Sequence, residues 1–182
     1  MKGPVRTITI ALFMLAAAAC GTGTPSAITP KVATFEESST AFCAAFGSLI
    51  RAVGNPDAGT PSVLSKSLDD AVAAGDIASA DRAAAAITSE LESGRQQAAE
   101  AARWQPAEPE TAALDRVLVA FEGAITAKRA AAGHGPGSID PQAAFEQAGG
   151  VEAWSALLAA VGSMPVPPGA SPKPCPAFSG TP

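Results

Sequence analysis

The chain has no tyrosine, one histidine and few aromatic residues of any kind, with phenylalanine and tryptophan together making 5% of its 182 residues. Recognition of sugars or peptides on aromatic platforms is poorly provided for. A Ser-His-Asp triad would have only His134 to use. Base is scarce too. Lys2 and Arg6 fall in a leader-like stretch, and without them ten basic residues stand against 17 acidic ones, a charge of −7. Such a chain offers no basic patch for nucleic acid or anionic lipid. There is no Gly-rich phosphate loop, HExxH, CxxC or GxSxG motif. No apolar run reaches the roughly 20 residues that a membrane-spanning helix needs. No stretch alternates at strand periodicity, and no internal repeat is evident. No cofactor is expected.

What is abundant is alanine, with 43 residues. Alanine is the best helix former, and its small side chain lets helices approach closely while burying little area each. The expected fold is all-α, an antiparallel four- to five-helix bundle. Thr34-Phe35-Glu36-Glu37 fits a capping box, and Phe35, Phe42, Phe46, Leu49 and Val53 then recur at helical spacing until Gly54-Asn55-Pro56. Thr60-Pro61 reads as the start of a second, shorter helix carrying Val63, Leu64, Leu68 and Val72, with Lys66 and Asp70 one turn apart. A third helix runs from about Ser79 to Trp104, with Glu92–Arg95 and Glu100–Arg103 as surface pairs. Gly94 weakens its middle by about 1 kcal/mol relative to alanine. A fourth starts near Pro109 and carries Leu114, Val117, Leu118, Phe121 and Ile125. Lys128 and Arg129 suit the dipole at its end. His134 follows in a glycine-rich loop. A fifth opens at Asp140-Pro141, with Phe145, Val151, Trp154, Leu157 and Leu158, and is interrupted at Gly149-Gly150, where it kinks or splits.

The N-terminus has a basic hexapeptide and then Thr7–Ala19, 13 residues without charge. This is the length of a signal-peptide core. Ala17-Ala18-Ala19-Cys20 resembles the bacterial lipobox, in which small residues precede a cysteine that is diacylated and becomes the new N-terminus. Ala17 stands where that pattern most often has leucine, and Leu15 lies two residues earlier. The alternative for the same residues is ordinary secretory cleavage, with Cys20 left as a free thiol. Two acyl chains suffice for stable anchoring where one is marginal.

The cysteine count follows from this. If Cys20 carries lipid, Cys43 and Cys175 remain as a pair in an exported protein, where thiols are usually oxidised. A Cys43–Cys175 bridge closes a loop of roughly 130 residues, for which the chain-entropy model gives about 5 kcal/mol. The alternative is two unpaired thiols. A zinc site lacks ligand spacing. The expected organisation is a signal peptide over 1–19, a Gly/Thr/Pro tether over 20–33, a helical domain over 34–162 and a proline-rich arm over 163–182. The segment from Gly162 onwards holds seven of the 16 prolines.

Candidate chemistry is sparse. The acidic pairs Asp69/Asp70, Glu90/Glu92 and Glu108/Glu110 read as solvated faces, since neighbouring residues on a helix point apart. Trp104 reads as a cap on one end of the bundle, or as the wall of a ligand groove between helices. Trp154 reads as core, or as the wall of a ligand groove between alanine-lined helices. His134 reads as an exposed loop histidine, with no catalytic or metal role.

The lipid site at Cys20, the short tether, a first helix bearing Phe42-Cys43-Ala44-Ala45-Phe46, the alanine-rich bundle and a late Pro174-Cys175-Pro176 together resemble the small helical lipoproteins of unknown function found in actinobacteria. The resemblance implies attachment to the extracytoplasmic face of the cell membrane and no known activity. The functional expectation is a non-enzymatic, membrane-anchored domain that binds an envelope protein or small envelope component. The alternative is a carrier of a lipid or other apolar ligand between helices.

Overall fold

The computed structural model describes residues 32–55, 59–134, 140–170 and 175. The chain divides into two units, Met1–Pro30 and Lys31–Pro182. Cys20, the leader and most of the tether lie outside the described residues.

The described chain is all-helical apart from one short hairpin. Helix α1 spans Phe35–Val53. The Thr34 hydroxyl accepts from the Glu37 N–H, and the Glu37 carboxylate accepts from the Thr34 N–H at 2.9 Å. The capping box therefore forms as its residues predict. Strands β1 (Gly54–Asn55) and β2 (Thr60–Pro61) pair antiparallel. They replace the expected helix start at Thr60-Pro61. The cap of α2 (Val63–Ala74) is instead Ser62. Its hydroxyl does two jobs, accepting from the Ser65 N–H at 2.9 Å and donating to the Ala52 carbonyl at the end of α1 at 2.8 Å. Two orphaned helix-end groups are thus satisfied by one side chain.

Asp76 caps α3 (Ile77–Ala101) through the Ser79 N–H and hydroxyl, and these bonds hold its carboxyl below the usual range. A single 3-10 turn, Gln105–Ala107, leads into α4 (Glu108–His134). His134 is the last residue of that helix, one step short of the loop in which the sequence places it. The fifth predicted helix is split. α5 is Pro141–Gln147, capped by Asp140, and α6 is Gly150–Ser163. Gly149, in the left-handed region at φ 74°, makes the joint.

Helix α3 is central, packed between α1 and α4, while α6 covers another side of α4 and α2 rests across α3 and α4. Leu49, Leu68, Ile87, Leu91, Leu114, Val117, Leu118 and Leu157 are almost wholly withdrawn from water, and Phe42 and Phe46 are core as their spacing predicts. Each leucine-sized burial contributes about 1.5–3 kcal/mol. Val63, placed on the apolar side of the second helix by its spacing, is instead 82% exposed in the first turn of α2.

Gly94 has a packing reason. A Cβ there would lie 3.2 Å from the Ala45 carbonyl oxygen, 3.3 Å from the Ser48 Cβ and 3.3 Å from a Leu118 methyl. Its helix-propensity cost is offset by the close approach of α1, α3 and α4 that it permits. Cys43 on α1 is bonded to Cys175, 132 positions away, with Cα atoms 5.1 Å apart. The bridge pins Cys175 onto the first helix.

The surface ion pairs mostly tie helix to helix. Arg51 meets Glu90 at 3.1 Å, Arg95 meets Asp115 at 2.9 Å, Arg129 meets Asp81, and Lys128 meets Asp69. Exposed pairs of this kind add little to stability, because water and salt screen them. No helix among the described residues is long and apolar enough to cross a membrane.

Candidate functional site

Five segments converge on a groove of about 410 Å³. The fourth to sixth turns of α4 form its floor. Phe121, Ala124, Ile125 and Lys128 sit at i, i+3, i+4 and i+7, which is one face of a helix. The end of α1 contributes Val53, and α2 contributes Ser65. The far wall is made by Pro141, Gln142 and Phe145 of α5 and by Val151, Trp154 and Ser155 of α6.

The break between α5 and α6 shapes this wall. Gly150 is buried, and a Cβ on it would run into the Phe145 ring. Phe145 can therefore fold back over the start of α6 and reach Phe121, with ring centroids 4.6 Å apart. Trp154, one turn into α6, packs its other side against Phe46 of α1 at 6.3 Å. Trp154 thus abuts the core with one part of its ring and lines the groove with another. Val151 stays half-exposed at the edge.

The chemistry of the lining is narrow. Three aromatic rings and several aliphatic side chains supply an apolar surface. Ser65, Ser155 and Gln142 supply hydroxyl and amide groups. Lys128 is the one charged residue among the described lining residues, and Asp69 of α2 holds its ammonium. No carboxylate, histidine or cysteine belongs to that lining, so it presents no acid–base pair and no activated nucleophile. Such a site can bind and orient a molecule. The volume lies in the range of small-molecule pockets.

The other candidates fall elsewhere. Trp104 meets Phe35 edge-on at 5.2 Å, at the end of the bundle where the sequence places it. Asp70 pairs with Lys66 at 2.9 Å, Asp69 with Lys128, Glu90 with Arg51, and Glu92 with Arg95 at 3.7 Å. These are exposed or half-exposed surface groups.

Glu110 is a correction. Its pairing with Glu108 reads as a solvated face, but its exposure is 1%, and Oε1 has no hydrogen-bond partner among the described residues. In the first turn of α4 its side chain points inward, on the same side as Ala113, Leu114 and Val117. Burial pushes its carboxyl above the ordinary range. His134, at the opposite end of the same helix and exposed, is 24 residues away, about 36 Å at the helical rise. The two cannot act together. Among the described residues no three His, Cys, Asp or Glu side chains gather closely enough to hold a metal ion.

Sequence reasoning placed Phe121, Ile125 and Phe145 on apolar helical faces without singling them out, and assigned Lys128 to the helix dipole. The usable signal was Lys128 at i+7 from Phe121, a cation on the same face as a run of apolar residues. Comparison with protein-family models, curated proteins and solved structures finds no match to this chain.

Proposed function

We propose that this chain is a non-enzymatic lipoprotein of the bacterial cell envelope whose helical domain binds a small envelope component. In this reading residues 1–19 are a signal peptide, and Cys20 carries a diacylglyceryl anchor with palmitate-like chains. The tether 20–33 holds the domain at the extracytoplasmic face of the cell membrane. Support for the anchor comes from the basic start, the uncharged 13-residue core and Ala17-Ala18-Ala19-Cys20. The cysteine arithmetic agrees, because the Cys43–Cys175 bond leaves Cys20 as the remaining cysteine.

The observation that carries the binding function is the aromatic groove between α4, α5 and α6. Its concave form and volume favour a small molecule over a protein surface, which is typically flat and needs about 800 Å² from each partner. The groove also joins the two expectations, since a small envelope component held there is a largely apolar ligand between helices.

Two experiments test the reading. The intact mass of the membrane-extracted protein should show a diacylglyceryl adduct on a mature chain beginning at Cys20, and Cys20→Ser should move the protein to the soluble fraction. A Cys20→Ser protein that stays wholly membrane-bound contradicts the anchor. Native mass spectrometry should find a ligand on the wild-type domain and not on Val151→Trp, which blocks the groove mouth. An identical ligand load on both contradicts the groove as the binding site.

A further inference from the structure

Resting on the groove as a binding site, we propose that its ligand is a small amphipathic anion, with its apolar body between Phe121, Phe145 and Trp154 and its acidic head on Lys128. The arrangement along α4 carries the inference. Phe121 and Lys128 are two turns apart on one face, about 10.5 Å along the axis. Ala124 and Ile125 fill the space between them and keep the floor apolar. A molecule lying along that floor has apolar contacts over most of its length and meets a cation at one end.

The sign of the charge follows from the lining. Lys128 is its one charged residue among those described, and no carboxylate faces inward to receive a cationic head. The partner on the other side, Asp69, holds the ammonium in place from α2. An ammonium has three donors, so it can keep Asp69 and still donate to a ligand oxygen. Ser65 and Gln142 stand on the same lining as further donors to an acidic head. A neutral ligand would gain the apolar contacts without the charge-assisted bond to Lys128.

The test uses the full chain carrying Cys20→Ser, so that acyl chains of its own do not compete. Trp104→Phe is added, so that Trp154 alone reports by fluorescence; Trp104 lies outside the groove, against Phe35. The probes are dodecanoate, dodecanol and dodecyltrimethylammonium, each below its micelle concentration. Dodecanoate is expected to bind saturably and at least about tenfold more tightly than the other two, the scale of one charge-assisted hydrogen bond. Lys128→Met should weaken dodecanoate about tenfold and close the gap to dodecanol, and Asp69→Asn should tighten it. Calorimetry on the protein that keeps Trp104 repeats the ranking should Trp104→Phe disturb folding. Equal affinity for the three probes, or a preference for the cation, overturns the anionic ligand and leaves the groove as a site. No saturable response to any probe overturns the groove reading itself.

Discussion

Toward α3, helix α4 meets glycine and alanine; toward α5 and α6 it meets aromatic rings. On the first flank Gly94 of α3 lies so close to Ala45 and Ser48 of α1 and to Leu118 of α4 that a single added carbon would press on all three. On the second, Phe121, Phe145 and Trp154 stand as props around a groove of about 410 Å³. Small side chains let helices close on one another, whereas rigid rings of unequal tilt cannot interdigitate fully and hold their helices apart. The first flank is closed where Gly94 sits, and farther along the α3–α4 seam opens into a groove of about 590 Å³ beside Ala84, Ala85, Thr88 and Arg129. The second flank is open between its rings.

This contrast can be broken experimentally, and the largest effect belongs to the disulfide on α1, outside both flanks of α4. Replacing both Cys43 and Cys175 by serine should lower the unfolding free energy by about 2–5 kcal/mol, read as a shift in the urea midpoint. An unchanged midpoint would mean that the bridge adds nothing to a core already fixed by packing. Gly94→Val should cost about 1–3 kcal/mol through overpacking. Loss of that penalty would show that α1 and α3 can separate freely.

Glu110 sharpens the account of the closed core. Burial raises its pKa above the ordinary value of 4.5, so the folded chain holds the proton more tightly than the unfolded one. Between the unfolded value and the raised folded value, unfolding releases a proton, and stability falls as pH rises; below that window the group's contribution is fully present. Glu110→Leu should thus stabilise the protein by about 1–3 kcal/mol at neutral pH, by removing an unsatisfied buried polar group. The gain should shrink as the pH is lowered toward 4. A gain that does not vary with pH would place the Glu110 proton in solvent.

The smallest effect belongs to the open flank. Val151→Leu, at the half-exposed edge of the groove, should change stability by less than about 0.5 kcal/mol. A penalty as large as that of Gly94→Val would erase the distinction between the two flanks.

Local grammar was readable without the fold. The capping box at Thr34, the Asp140-Pro141 start, the break at Gly149-Gly150 and the Cys43–Cys175 pair depend on residues whose roles are set by backbone geometry or by count. The groove was not readable, because its walls come from five segments and only the tertiary arrangement decides that Phe145 folds back onto Phe121. Gly94 looked like a weakness for the same reason, since its partners Ala45 and Ser48 lie on another helix. The burial of Glu110 has no sign in the sequence, because an acid in the first turn of a helix is normally a solvated group facing the dipole. Ser62 was missed as the cap because Thr60-Pro61 fits the same rule two residues earlier, and the hairpin that claims Thr60 exists only once α1 has ended at Val53.

The division of α4 into a structural flank and a binding flank is tested most directly by amide hydrogen exchange with and without dodecanoate, since exchange reports local opening element by element. Protection should rise over 121–128 and 141–163 and stay unchanged over 77–101. Protection that rises in 77–101 instead, or nowhere, would contradict the assignment of the aromatic groove as the site where this domain meets its ligand.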